Sequence, residues 1–211
     1  MITDLKINAE RKQFYYEKGY WTEKTLGDVW ADRVASHPER TYVSDDQGSS
    51  YTYGEIDDKA ARLAAWLVEQ GVAPGDVVTF QMPTWAEFCI VYVAALKAGA
   101  VMHPLPRNFN DADLVYGMNL VGSRAFICPT KVAKVDFESQ ILSIVDQIPT
   151  LGPVALVDKA APKHSERPRS RRYARAYEPI EYPPPITSDD RSLHPVHVRH
   201  HGQAQSGAVH A

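Results

Sequence analysis

The sequence predicts an α/β fold, with a mostly parallel sheet covered by helices on both faces. Between residues 49 and 159, strand-like segments alternate with helix-like segments at the spacing of β-α-β units. The strand segments are short and apolar, which favours a buried parallel sheet. A chain of 211 residues with 44% hydrophobic residues is long enough for one core, or for one and a half small domains.

The composition narrows the class of protein. A formal net charge of −3 predicts no general attraction to nucleic acid or to anionic membranes. Cys89 and Cys128 each lie inside an apolar run, so we interpret them as buried, reduced thiols of a cytoplasmic protein. The first 21 residues mix charges and show no signal peptide. The longest strongly apolar run, residues 88–96, is too short to span a bilayer.

Three zones that differ in composition and apolar periodicity define the predicted domains. Residues 1–48 are polar and helix-leaning, with leader helices and a first short strand at Thr41–Ser44. Residues 49–160 form the α/β unit. Residues 161–211 hold most of the arginine and histidine density without apolar periodicity, so we expect a linker and a disordered, irregular tail.

The first helix of the α/β unit has a predicted start, face and stop. Thr52 and Glu55 have the spacing of a capping box, in which a hydroxyl and a carboxylate satisfy free N–H groups at a helix start. Gly71 is a natural stop. The apolar residues between them fall on one helical face: Ile56, Ala60, Leu63, Ala64 and Leu67.

A second strand and helix follow. Residues 74–76, Pro-Gly-Asp, form a turn into a strand at residues 77–81. Thr84 and Glu87 have the spacing of a second capping box. The helix that they open is apolar all round and ends near Lys97, so we expect it to be buried between layers.

The remaining elements repeat this alternation. We predict a strand at residues 100–102, a helix capped by Asn110 that runs toward Val121, a strand at 125–128, a helix at 137–148 and a last strand at 154–157.

Four motifs then carry a resemblance, because they occur together in a specific order and spacing. They are YTYGEID at 51–57, GVAPGD at 71–76, QMPTWAEF at 81–88 and ALKAGAVMHPL at 95–105. Residues 10–160 resemble the first subdomain of the N-terminal domain in the adenylate-forming (AMP-binding) acyl-CoA synthetase family. The leader ERKQFYYEKGYW and the QMPTW segment resemble most the short- and medium-chain fatty acid and cyclohexanecarboxylate CoA ligases.

The resemblance implies a two-step, AMP-forming reaction. A carboxylate attacks the α-phosphate of Mg-ATP to give an acyl-adenylate and pyrophosphate, and the thiol of coenzyme A then displaces AMP. Full-length members use ATP, Mg²⁺, coenzyme A and a small carboxylic acid, and their phosphate loop has the form T-S-G-T-T-G-x-P-K. The sequence as written does not contain that loop. We therefore assign no catalytic, cofactor-binding or metal-binding residue, and we expect this fragment to bind no cofactor by itself.

The C-terminal residues allow a second reading through the genetic code. When the last two bases of each codon are joined to the first base of the next, residues 194–205 can read Ile-Leu-Phe-Thr-Ser-Gly-Thr-Thr-Gly-Lys-Pro-Lys. Twelve successive overlaps thus permit the family's phosphate loop. We infer a frameshift near residues 190–192, followed by early termination, which would leave a truncated N-terminal fragment.

Two groups of tail residues admit other roles. A metal site could use the histidines, and nucleic acid could be bound by the arginines. We favour the out-of-frame reading for His194, His197, His200 and His201. We favour a solvated linker for Arg167, Arg169, Arg171, Arg172 and Arg175, because no recognition module accompanies them.

Four residues of the α/β unit could contribute to a site. Trp85, Phe88 and Tyr92 could line an acyl pocket, although their helical spacing favours core packing. His103 lies at a strand end, where open α/β sheets bind ligands, and we favour a structural role there as well.

Two functional hypotheses from different classes remain open. In the first, the chain is an inactive fragment of an ATP-dependent acyl-CoA synthetase, and its exposed apolar surface causes self-association. In the second, it is a non-catalytic module that binds a partner through an open sheet edge. Neither hypothesis involves nucleic acid or a membrane span.

Overall fold

Helices and strands alternate along residues 8–158, the part of the chain that the computed structural model describes. The described helices are α1 (Ala9–Glu17), α2 (Leu26–Ser36), α3 (Tyr53–Glu69), α4 (Ala86–Lys97), α5 (Asp111–Val121) and α6 (Phe137–Ile144). The described strands are β1 (Thr41–Ser44), β2 (Ser50–Thr52), β3 (Val77–Phe80), β4 (Val101–Pro104), β5 (Ser123–Pro129), β6 (Lys131–Val132), β7 (Val135–Asp136) and β8 (Val154–Val157). The predicted tail, with its histidines, arginines and second reading frame, lies outside these residues.

A four-stranded sheet forms the centre of the described part. Its strand order is β4-β3-β5-β8, and each neighbouring pair is parallel. The hairpins β1-β2 and β6-β7 are antiparallel and stand apart from this sheet. The predicted α/β class with a mostly parallel sheet is confirmed.

Each face of the sheet carries its own apolar core. Side chains that alternate along the strands point to opposite faces, so Phe80 and Ile127 belong to one core and Phe126 to the other. Helices α2, α3 and α4 cover the first face, with Ile56 fully buried there. Helices α5 and α6 cover the second face. The expected helical cover on both faces is therefore present.

Local signals correctly predicted two helix starts. Thr52 Oγ1 accepts from the Glu55 N–H at 3.2 Å, and the Glu55 carboxylate accepts from the Thr52 N–H at 2.8 Å. Asn110 and Asp113 form a second reciprocal box at the start of α5. Gly71, at φ +87°, lies two residues beyond the end of α3, as expected of a stop residue.

The predicted capping box at Thr84 is wrong. Helix α4 begins at Ala86 and its cap residue is Trp85, whose side chain makes no capping hydrogen bond to the first turn. The Ala86 N–H donates instead to Asp45 Oδ2, 3.0 Å away in the β1-β2 hairpin. A carboxylate 41 residues distant satisfies the helix start, so local spacing could not reveal the cap.

Several predicted boundaries also shift, two of them with a clear structural reason. The helix expected at residues 137–148 is α-helical only to Ile144 and tightens into a 3₁₀ turn at Val145–Gln147. The strand expected at 100–102 is Val101–Pro104, because it pairs residue by residue with β3 up to Phe80. Within residues 8–158, no helix combines the length and apolar character needed to cross a bilayer.

Candidate functional site

The carboxyl edge of the parallel sheet is where a ligand site is expected in such a fold. Strand β3 leaves this edge through Gln81, which is 1% exposed. The Gln81 amide donates through Nε2 to the Pro106 carbonyl at 2.8 Å, and the Leu105 N–H donates to the Phe80 carbonyl at 2.9 Å. The loops that follow β3 and β4 are thereby held together.

A cavity of about 510 Å³ adjoins this edge, between the β4-α5 loop and the start of α6. Its lining residues are Arg107, Asn108, Phe109, Asp111, Val135, Asp136, Ser139 and Gln140. Asp136 Oδ1 accepts from the Ser139 N–H at 2.9 Å, and this bond lowers the pKa of Asp136. Gln140 Nε2 donates to Asp111 Oδ1 at 2.9 Å and to the Phe109 carbonyl at 3.2 Å. Asp136 thus caps α6, and Gln140 joins α6 to the loop before α5. Within the described part of the chain, these polar groups stabilise the fold.

One hydroxyl–imidazole pair lies behind the edge, on the α5 face of the sheet. Thr79 Oγ1 lies 3.0 Å from His103 Nδ1, and it also contacts the Ser123 hydroxyl. Thr79 and Ser123 are fully buried, and burial lowers the pKa of His103. A hydroxyl that no substrate can reach is not a nucleophile, and the geometry therefore favours a role in joining β3, β4 and β5. That role is the one favoured from the sequence.

The cysteines show no sign of activation. Both are free thiols; Cys128 is buried and Cys89 is partly buried. Burial raises the pKa of each thiol, so neither is ionised at neutral pH. Among the described residues, no cluster of three or more His, Cys, Asp or Glu side chains could hold a metal ion.

The three aromatic residues proposed for an acyl pocket belong to helix α4 and its cap. The Phe88 ring lies 5.4 Å from the Phe80 ring in an edge-to-face contact and 6.3 Å from the Tyr92 ring. All three residues are partly buried against the core on the α4 side of the sheet. Core packing is the arrangement that these contacts favour.

Sequence reasoning missed the buried polar groups of the sheet, both at its carboxyl edge and between its strands. Gln81 was included only as the last residue of a strand, and Thr79 and Ser123 were not singled out. A glutamine that directly follows an apolar strand is a usable signal, because a buried amide requires hydrogen-bond partners. The signal does not identify those partners, which lie on other strands and loops.

Comparison with known proteins places the chain in a family. The AMP-binding enzyme family matches residues 30–193. The medium-chain fatty-acid–CoA ligase of Escherichia coli (strain K12) is 36% identical over 165 residues, which are 78% of this chain and 29% of that protein. The salicyl-AMP ligase / salicyl-S-ArCP synthetase of Mycobacterium tuberculosis is 29% identical over 147 residues, or 68% of this chain and 26% of that protein.

A solved structure shares the fold. Apo MbtA of Mycobacterium smegmatis superposes with a TM-score of 0.62 at 25% identity, over 84% of this chain and 33% of that one. The chain thus spans about a third or less of the length of these three proteins. Because the family match covers well over half of the chain, the chain belongs to the AMP-binding enzyme family.

Proposed function

We propose that this chain is the N-terminal part of an ATP-dependent ligase that joins a short- or medium-chain carboxylic acid to coenzyme A, with release of AMP and pyrophosphate. The observation that carries the proposal is the 36% identity to the medium-chain ligase of Escherichia coli over 78% of this chain. The QMPTW segment at residues 81–85, which leads from β3 into α4, supports the same substrate class.

We further propose that the chain as written does not catalyse this reaction alone. Stabilising a triphosphate requires backbone N–H donors, a lysine and magnesium around the phosphates. The family's phosphate-loop sequence is not spelled in the given frame and can be read only across residues 194–205 in the second frame. We retain the division into a leader at 1–48, an α/β unit at 49–160 and a tail at 161–211 as part of this proposal.

Turnover tests the proposal directly. The purified chain, ATP, Mg²⁺, coenzyme A and a panel of straight-chain carboxylic acids should release no AMP above the enzyme-free background. The medium-chain ligase of Escherichia coli serves as the positive control for the assay. Robust AMP release by this chain would contradict the proposed inactivity.

The nucleotide sequence around codon 190 tests the cause. We expect one inserted or deleted base there, followed by an open frame that continues into further motifs of the family. An intact frame that ends as written would contradict the proposed frameshift.

A non-catalytic, partner-binding module is the alternative, and one observation favours it. In the part of the chain that the structure describes, β8 pairs only with β5, which leaves its other side open for an added strand. Size-exclusion chromatography separates the two proposals. A monodisperse monomer or a stable complex supports the module, whereas concentration-dependent self-association supports the fragment.

A further inference from the structure

A second cavity, of about 450 Å³, lies where α2, β1 and the first turn of α3 meet. It is lined by Arg33, His37, Arg40, Thr41, Tyr42 and Tyr53. Three of these six residues are basic or can become so, and none is acidic. A cavity of this size with convergent polar groups has the dimensions of a small-molecule site.

The two guanidinium groups at this cavity have no hydrogen-bond or ion-pair partner among the described residues. Within residues 8–158, the side chains of Arg33 and Arg40 form no ion pair or hydrogen bond. Arg62, by contrast, makes two 3.0 Å bonds to the Asp58 carboxylate. Arg33 lies in the last turn of α2, where the helix dipole stabilises a positive charge. Arg40 lies beyond that helix and has no such stabilisation. Two unpaired guanidinium groups beside one cavity are suited to a shared anion.

The backbone beneath Arg40 is held rigidly. Its N–H donates to the His37 carbonyl at 3.1 Å, and its carbonyl accepts from the Tyr53 N–H at 3.1 Å. The Gly54 N–H donates to the Pro38 carbonyl at 2.9 Å, and a Cβ on Gly54 would lie 3.3 Å from that oxygen. The loop is thus tied to the start of α3 before any ligand arrives, which lowers the entropic cost of binding.

Aromatic rings form the other wall. The rings of Tyr42 and Tyr53 lie 4.8 Å apart, and the Trp30 ring packs 5.1 Å from Tyr42 and 5.5 Å from Tyr53. Trp30 Nε1 donates to Asp57 at 2.8 Å, which holds the cluster in place. Tyr42 remains 42% exposed, so part of its surface is open for a planar group to stack on.

We propose that this cavity binds a small phosphate ester that carries a planar ring, such as a nucleoside monophosphate. The phosphate lies between Arg33 and Arg40, and the ring stacks against the tyrosine wall. This binding site goes beyond the proposed ligase activity and uses neither the phosphate loop nor the carboxyl edge of the sheet.

Calorimetric titration of the full chain with inosine monophosphate tests the proposal, with inosine and inorganic phosphate as separate arms. We expect saturable one-to-one binding of the monophosphate. Phosphate and inosine should each bind more weakly, because phosphate lacks the ring and inosine lacks the phosphate group. Arg33→Gln and Arg40→Gln should each weaken monophosphate binding about tenfold, since each removes a charged hydrogen bond. Arg11→Gln, which removes an exposed arginine of α1 that does not line this cavity, is the matched control and should bind as the wild type does.

Circular dichroism should first establish that all variants fold. Arg40→Lys, which keeps the charge but loses the planar fork, should bind more weakly than the wild type and more tightly than Arg40→Gln. Equal affinities for the cavity and control variants, inosine binding as tight as that of its monophosphate, or no saturable binding at all would each overturn the proposal. Binding of a phosphotyrosine peptide but not of the small ester would also overturn it, in favour of a peptide site.

Discussion

At the scale of single residues, a buried cation and its partner tie three helices together. Lys97 of α4 is 5% exposed, and its Nζ lies 2.8 Å from Asp57 Oδ1 of α3. The same carboxylate oxygen accepts from Trp30 Nε1 of α2 at 2.8 Å. Burying an ammonium group is costly unless a charge compensates it, so each member of this set depends on the others.

Loss of Lys97 should therefore destabilise the fold by more than the loss of its buried apolar contacts alone would. We expect Lys97→Met to lower the free energy of unfolding by about 3 kcal/mol, because a partly buried carboxylate loses its counter-ion. Lys24→Met is the matched control, and it should leave the free energy of unfolding almost unchanged, because the Lys24–Asp32 pair is more than half exposed and is screened by water. Urea denaturation measures both values, and equal losses for the two variants would refute the argument.

His103 supplies a pH-dependent contribution at the same scale. Burial lowers its pKa from the ordinary 6.5, so the folded chain holds the neutral imidazole more strongly than the unfolded chain does. Its stabilising contribution is complete above pH 6.5 and is lost as the pH falls below that value. The free-energy difference between wild type and His103→Gln should then shrink between pH 7.5 and 5 in urea titrations. A difference that stays constant with pH would contradict this assignment.

At the scale of elements, helix starts are satisfied in two ways. Helices α2, α3 and α5 carry reciprocal boxes within their own first turn. Helix α4 relies on Asp45 from the β1-β2 hairpin. The Asp45 carboxylate also accepts from the N–H groups of Gln47 and Ser49, at 3.0 and 2.9 Å, so it organises the hairpin turn as well. Hairpin and helix are thereby coupled through one side chain.

Replacing each candidate cap of α4 in turn should show which of the two residues caps the helix. We expect Asp45→Ala to destabilise the fold by about 1–2 kcal/mol, the usual range for a lost helix cap. Thr84→Ala should change stability by less than about 0.5 kcal/mol, because Thr84 is exposed and makes no cap bond. Thermal denaturation of both variants provides the measurement. A larger effect at Thr84 than at Asp45 would restore the local capping box.

At the scale of the whole described molecule, three helices cover one face of the sheet and two cover the other. The core on the α3-α4 side is closed by three helices. On the other side, Tyr116 and Leu120 of α5 are 71% and 66% exposed, one helical turn apart. Both residues line a third cavity, with Val115 and Gln147 beside them. An apolar surface of this kind favours association.

Charge placed on this surface should reduce self-association without unfolding the protein. The double variant Tyr116→Lys/Leu120→Lys should elute later and with a lower mass in size-exclusion chromatography with light scattering, at concentrations where the wild type associates. Leu26→Lys, at another exposed apolar residue on α2, is the control and should behave as the wild type does. Association that is unchanged in the double variant would exclude the α5 surface as its cause.

Local spacing predicted two helix starts correctly and failed at a third, where Asp45 rather than Thr84 satisfies the start of α4. The Thr52/Glu55 box and the Asn110 cap act within one helical turn, so these signals are visible in the chain. The sequence could not predict the Gln81–Pro106 contact or the Lys97–Asp57–Trp30 set, since those partners are 25 or more residues apart. The cavity between Arg33 and Arg40 was missed for the same reason, because Tyr53 joins it from another element.

By itself, the sequence determined the alternation of strands and helices, the parallel character of the sheet and the resemblance to AMP-forming ligases. Those properties follow from periodicity and motif spacing, which are short-range and additive along the chain. Only the tertiary structure decided which distant carboxylate caps α4, which polar groups are sealed inside the sheet and where two guanidinium groups stay without a partner among residues 8–158. These outcomes depend on which elements pack against each other, and no local sequence pattern predicts that packing.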